Sequence, residues 1–288
     1  MKTLKRRSML HIKFLPFISF PAVLIGAIVM KVNNVPISIW LQNIIITILA
    51  TFISLLIANK IKVKTQVIDY VQILVIYSVL VWSLFAPGIE EVHRWIALGP
   101  IKLYISSICL SWLLIILGKL VLRNQWWVVY SILISISFLL LLQPDASAVT
   151  AFVVSTVTIL FDKIEGHRFR YFAIFIPIVF IITSWVYLDH LAPVPYVEDI
   201  LSMAKNLGIG WLVIALFSLL LLVIPFLLFP PKNRKATSIS LGIYFTTVCI
   251  TTYFGNFPVP LMGYGISPIL GYLIAIHWFV QEKKNDKD

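Results

Sequence analysis

The chain has 288 residues, 60% of them hydrophobic and only 12% charged, with a formal net charge of +11 and a mean hydropathy of +0.98. A soluble domain carries about 25% charged residues, and a globule of this size has no room in its core for so much apolar surface, so a soluble enzyme and a disordered chain are excluded. Two cysteines cannot build a disulfide scaffold, which leaves a polytopic integral membrane protein.

A bilayer core about 30 Å thick takes roughly 20 apolar residues per helix, and backbone amides there must be satisfied within a helix or a closed barrel. The apolar runs here are continuous rather than alternating, which excludes the barrel and makes the chain all-α. In chain order, a basic arm (Lys2, Lys5, Arg6, Arg7, Lys13) precedes a first run at 14–30, which carries no small-residue cleavage site and reads as a retained anchor. Runs at 37–58 and 68–86 lie on either side of Lys60, Lys62 and Lys64. Runs at 101–122 and 126–142 flank Lys119 and Arg123, and those at 146–161 and 171–188 flank Lys163, Arg168 and Arg170. The runs at 209–229 and 237–253 flank Lys232, Arg234 and Lys235, and the last, 264–280, leads to Lys283, Lys284 and Lys287.

Alternate connections thus hold all but four of the 23 basic residues, the exceptions being Lys31, Arg94, Lys102 and Lys205. That bias predicts ten transmembrane helices in a single bundle domain over 1–288, with both termini cytoplasmic. Orientation and attraction to anionic lipid account for the net charge without a nucleic-acid partner. Cys109 and Cys249 fall inside predicted spans, as packing residues.

Function in such a chain belongs where costly groups are tolerated: outer loops, interrupted helices and intramembrane charges. Four segments on the predicted outer side meet that description. Pro87 to Lys102 concentrates Glu90, Glu91, His93, Arg94 and Lys102; Arg94 beside Trp95 suits an interfacial phosphate site, and Gly99-Pro100 suits a simple loop opening the next helix. Gln143-Pro144-Asp145 is a short hinge in which Asp145 either caps the following helix or sits beside amide donors open to an anion. Asp189 to Lys205 carries Asp189, His190, Glu198 and Asp199 around Pro193 and Pro195; two adjacent acids at a membrane boundary raise each other's pKa, poising one as a general base or simply capping a helix. Asn256 to Ser267 is broken by Pro258, Pro260, Gly263 and Gly265, with Pro268 beyond, and an irregular backbone at that depth must be packed in protein or line a cavity.

In that order these segments resemble the SEDS family (shape, elongation, division and sporulation; RodA, FtsW and SpoVE types). The family's Arg-Arg-Trp-Ile-x-Leu-Gly-Pro stands here as His93-Arg94-Trp95-Ile96-Ala97-Leu98-Gly99-Pro100, and its Gln-Pro-Asp-Leu-Gly-Thr-Ala as Gln143-Pro144-Asp145-Ala146-Ser147-Ala148. Its Pro-Leu-Pro-Phe-x-Ser-Tyr-Gly-Gly-Ser stands as Pro258-Val259-Pro260-Leu261-Met262-Gly263-Tyr264-Gly265-Ile266-Ser267. The chain departs from the pattern after Leu-Gly-Pro. Where the family has Gln-Pro-Ser-Glu and a Lys three residues on, this chain has Tyr104-Ile105-Ser106-Ser107 and Leu110. Losing both members of an ion pair together leaves no stranded charge, so the bundle is expected to fold. The loop between spans seven and eight is also shortened.

The resemblance implies a ten-span bacterial plasma-membrane glycosyltransferase that polymerises peptidoglycan strands from lipid II at the outer leaflet, in elongation, division or sporulation. By its place eleven residues before Gly210, Asp199 takes the position of the family's catalytic Asp, with Glu198 as alternate if the register slips by one. The same resemblance implies a class B penicillin-binding protein as partner. Arg94, Trp95, Lys102, Asp145, Tyr264 and Ser267 are the expected substrate-binding residues, with Arg94 stabilising the departing pyrophosphate alongside Lys102 or a divalent cation. The lost pair and short loop leave two alternatives: a catalytically silent scaffold or regulator, and a transporter of the lipid-linked precursor.

Overall fold

The computed structural model describes residues 14–57, 66–88, 90, 92–99, 101–161, 167–189 and 191–286, with backbone alone over 167–173. The basic arm, Lys60 to Lys64, Lys163, Glu91, Pro100, His190, Lys287 and the side chains of Arg168 and Arg170 lie outside the described residues. The apolar runs form long helices, because an uninterrupted apolar stretch satisfies its own backbone without water. A 3-10 turn, Leu15–Ser19, leads into α1 (Phe20–Val32), followed by α2 (Ile37–Ile57) and α3 (Gln66–Phe85). Then come strands β1 (Trp95–Leu98) and β2 (Ile101–Tyr104), α4 (Ile105–Leu122), α5 (Trp126–Leu142), α6 (Ala146–Leu160) and α7 (His167–Val186). A short α8 (Ile200–Leu207) precedes α9 (Ile209–Leu228), α10 (Lys235–Thr251) and α11 (Ile266–Asn285).

One expectation is corrected. The run at 101–122 is not one helix: residues 101–104 pair as β2 with β1, antiparallel, from Trp95 opposite Tyr104 to Leu98 opposite Ile101. Gly99 at the tip has φ +62°, a turn conformation that a side chain rarely adopts. The loop after α7 leads into α8, the helix that the capping alternative at Asp199 implied, which buries Ile200, Leu201 and Ala204 on one face.

The bundle is centred on α4, α6, α10 and α11, whose contacts are made close by small residues. A Cβ on Gly271 of α11 would lie 2.0 Å from the Ser107 carbonyl oxygen of α4, and one on Gly118 would lie 2.0 Å from Thr237 Oγ1 of α10. The periphery is inverted relative to a soluble protein: α2 exposes Ile48, Phe52 and Leu56, α3 exposes Leu74, Trp82 and Phe85, and α9 exposes Ile209, Val213 and Phe217. Such continuous apolar surface is stable against lipid and not against water. At the end of the bundle that the charge bias assigns to the cytoplasm, buried Asp69 in the first turn of α3 accepts from Lys119 Nζ at 3.0 Å and Arg123 Nη1 at 2.8 Å, tying α3 to α4. All four irregular segments lie at the opposite, hairpin end.

Candidate functional site

Arg94, just ahead of β1, is the point where the four segments meet. It is 3% exposed. Its Nε donates to the Gln143 carbonyl at 3.2 Å and its Nη2 to the Pro144 carbonyl at 2.7 Å. The same Nη2 pairs with the Asp189 carboxylate, itself buried. The guanidinium carbon lies 5.8 Å from the ring centroids of both Trp95 and Phe257. A guanidinium inside a bilayer-depth protein needs acceptors and a counter-charge, and the chain supplies them all. The fork expected to grip a pyrophosphate is therefore turned inward, and Arg94 joins the hairpin to the hinge and to the loop after α7. Gln143 is fixed in turn, donating to the Leu80 carbonyl at 3.2 Å and to Ser83 Oγ at 2.8 Å.

Asp145 is fully buried and caps α6, accepting from the Ala148 amide at 3.0 Å. Its second oxygen accepts from the Tyr104 hydroxyl at 2.5 Å and from Ser106 Oγ at 3.1 Å. Burial, with the carboxylate beside it, pushes the Tyr104 phenol well above its ordinary pKa, so it remains a donor. The Tyr104 amide donates to Ser267 Oγ at 2.9 Å, and Ser267 is 1% exposed. Tyr104, where the resemblance breaks, and Ser106, where the serine is shared, thus bind Asp145 to the end of the hairpin and the first turn of α4.

The loop after α7 and the segment before α11 are laced together. Val259 N donates to the Val197 carbonyl at 3.1 Å, and Tyr264 N donates to the Tyr196 carbonyl at 2.9 Å. Gly263 stacks against the same loop: a Cβ there would lie 2.3 Å from the Val197 oxygen. Phe257, Val259, Leu261 and Met262 are buried, so this irregular stretch is packed in protein. Tyr264 is half-buried, its hydroxyl donating to Gln42 Oε1 at 3.0 Å, with its ring edge-on to Tyr196 at 6.2 Å.

Immediately beyond Val197 come the two acids. Glu198 is half-buried, and its Oε2 accepts from the Val194 amide at 2.7 Å. Desolvation raises its carboxyl to about 7, against the pull of that amide. Asp199 stands exposed at the N-cap of α8, with no side-chain bond into the helix. Lys102 is exposed on β2 and Trp95 is half-buried. Among the described residues no three His, Cys, Asp or Glu side chains gather as a metal site.

The candidate residues therefore divide. Arg94, Asp145 and Ser267 lie inside the protein with their polar groups engaged, while Glu198, Asp199, Tyr264 and Lys102 retain surface. Sequence reasoning passed over Gln42 and Asn43, which hold the 263–265 turn from α2. Their signal was present: Asn43, Thr47, Thr51 and Ser54 recur at helical spacing, and all four are buried.

No protein-family model and no curated protein sequence matches the chain. Its fold matches the rod shape determining protein RodA of Thermus thermophilus, with a TM-score of 0.71, 16% identity and 94% of this chain and 96% of that chain covered. A single-substitution mutant of the same RodA gives a TM-score of 0.72 at the same identity and coverage. A third structure, described as showing structural coordination of polymerization and crosslinking by a peptidoglycan synthase complex, gives a TM-score of 0.67 at 15% identity, covering 94% and 97% of the two chains. The likeness shows the fold: the chain has the RodA-like, SEDS architecture of a multi-pass membrane protein.

Proposed function

We propose that this chain, built on the SEDS fold, is a glycosyltransferase of the bacterial plasma membrane that polymerises peptidoglycan strands from lipid II at the outer leaflet. The observation that supports the reading best is the pair of adjacent carboxylates, Glu198 and Asp199, carried at the hairpin end on a loop laced to the Tyr264 segment. In the reaction, an acceptor sugar hydroxyl attacks the anomeric carbon of the donor as the bond to undecaprenyl pyrophosphate breaks. The leaving group departs with the bonding electron pair, and the acceptor's proton passes to a carboxylate. Asp199 takes that proton in the favoured assignment, since it is exposed; Glu198 is the alternate. Lys102, exposed on β2, supplies cationic stabilisation to the pyrophosphate, and Arg94 acts at one remove by holding the hairpin that bears Lys102. A class B penicillin-binding protein is the proposed partner.

The silent-scaffold reading has one observation in its favour: Arg94, Asp145 and Ser267 are all engaged by the protein itself. Purified protein with labelled lipid II separates the possibilities. Strand synthesis supports the polymerase, binding without synthesis supports the scaffold, and passage of lipid II across a vesicle membrane supports the transporter. A wild type that makes no strands with its partner present overturns the proposal.

A further inference from the structure

Asn43 lies on α2, a helix whose other side faces lipid, and it is 2% exposed. A carboxamide inside a membrane bundle needs both its donor and its acceptor satisfied. Here both go to one short turn of irregular backbone more than two hundred residues away. Asn43 Nδ2 donates to the Gly263 carbonyl at 2.9 Å, and Asn43 Oδ1 accepts from the Gly265 amide at 3.2 Å. The amide thereby replaces the backbone partner that a helix or strand would have given this turn. Its neighbour Gln42 accepts from the Tyr264 hydroxyl at 3.0 Å, so two consecutive side chains of α2 grip three consecutive residues.

What the turn does next gives the grip its consequence. Gly263 presses on the Val197 carbonyl with no room for a side chain between them. The Tyr264 amide donates to the Tyr196 carbonyl and the Val259 amide to the Val197 carbonyl. The residues following Val197 are Glu198 and Asp199. One buried amide is thus connected to the two acids through a turn and a two-rung backbone ladder, without touching either acid. We propose that Asn43 is a positioning residue: its carboxamide fixes the 263–265 turn, and the turn sets where the Tyr196–Val197 backbone presents the acids at the hairpin end. That these acids act in glycosyl transfer rests on the function proposed above; that Asn43 holds their loop does not.

The test combines hydrogen exchange with strand synthesis, on the full chain in detergent and with its partner. Asn43→Leu keeps the volume and removes both bonds. Asn43→Gln keeps both groups with an extra methylene and should recover part of the order. Gly263→Ala disturbs the same ladder from the opposite side. In Asn43→Leu, amide exchange should quicken at 194–200 and 256–265 while the remaining helices stay near wild type. Strand synthesis should fall by roughly 10²-fold, the order expected when reacting groups are displaced by about 1 Å. The fall should appear in kcat, with KM for lipid II little changed, and Gly263→Ala should reproduce the pattern. Unchanged exchange in both segments, or exchange that quickens throughout with a lower melting temperature, overturns the inference, because Asn43 would then be a bystander or a general packing residue. If the wild type makes no strands, the proposed function fails on its own account and the exchange result still decides what Asn43 does.

Discussion

At the scale of single residues, the two acids of the outer loop are neighbours in sequence with different surroundings. Glu198 is half-buried and raised to about 7 by desolvation, whereas Asp199 is exposed at the start of α8. The consequence for stability has a definite sign. Between the ordinary glutamate range and about 7, the folded chain holds a proton at Glu198 that the unfolded chain has lost, so stability falls as pH rises through that window. Partial exposure screens the effect, leaving on the order of 1 kcal/mol. Glu198→Gln should therefore flatten the pH dependence of the melting temperature between about pH 5 and 7, and a slope that persists unchanged would place the titrating group elsewhere. Catalysis separates the same pair. Asp199→Asn removes no side-chain bond to α8 and should leave folding intact while strand synthesis drops by roughly 10²–10⁴-fold, the contribution of a general base. Glu198→Gln should cost much less. The reverse ranking, with a rate limb near pH 7 abolished by Glu198→Gln, would give the base role to Glu198.

At the scale of elements, stability is concentrated where helices approach closely or share a buried charge. Asp69 ties α3 to α4 through Lys119 and Arg123, both about one-third exposed. Those cations can reach towards the headgroups if abandoned, so Asp69→Leu should cost about 1–3 kcal/mol, seen as a lower melting temperature without loss of the hairpin-end geometry. Gly271→Val should be harsher, since even a Cβ would overlap the Ser107 carbonyl of α4; loss of folded protein on size-exclusion chromatography is the expected outcome. The elements also differ in how readable they were. The long helices follow from continuous apolar runs, and α5 matches its run at both ends, 126–142. The hairpin was not readable, because β2 merges without a break into the apolar run of α4 and four residues are too few to establish an alternating period. Helix α8 was legible only through the capping alternative at Asp199, since a helix this short offers just Ile200, Leu201 and Ala204 to mark a face. Arg94 was legible as out of place in a charge-poor segment, but its partner Asp189 comes from a loop four helices later, and no local pattern carries that information. The cap at Asp145 was legible, since capping is local; its bonds to Tyr104 and Ser106 were not.

At the scale of the whole molecule, the two ends of the bundle are chemically distinct, and the assignment of the acids to the outer face depends on which end is which. Lys119, Arg123, Lys232, Arg234, Lys283 and Lys284 belong to connections or helix ends on one side, where Arg234 approaches Glu282 and Lys283 donates to the Pro230 carbonyl. The hairpin, the hinge, α8 and the 256–265 segment occupy the other. Translocation of basic loops is disfavoured, so the first set should face the cytoplasm, and a substrate presented at the outer leaflet would then meet Glu198 and Asp199. Single cysteines introduced near residue 62 and at Lys284, in a background lacking Cys109 and Cys249, should be protected from a membrane-impermeant thiol reagent in intact cells and react after permeabilisation. A cysteine at Val194, 39% exposed in the loop before α8, should react without permeabilisation. The contrast does not depend on activity, because it needs only a folded and inserted chain. Reversed labelling would put the acids in the cytoplasm, out of reach of outer-leaflet lipid II, and would overturn the proposed reaction with the fold left intact.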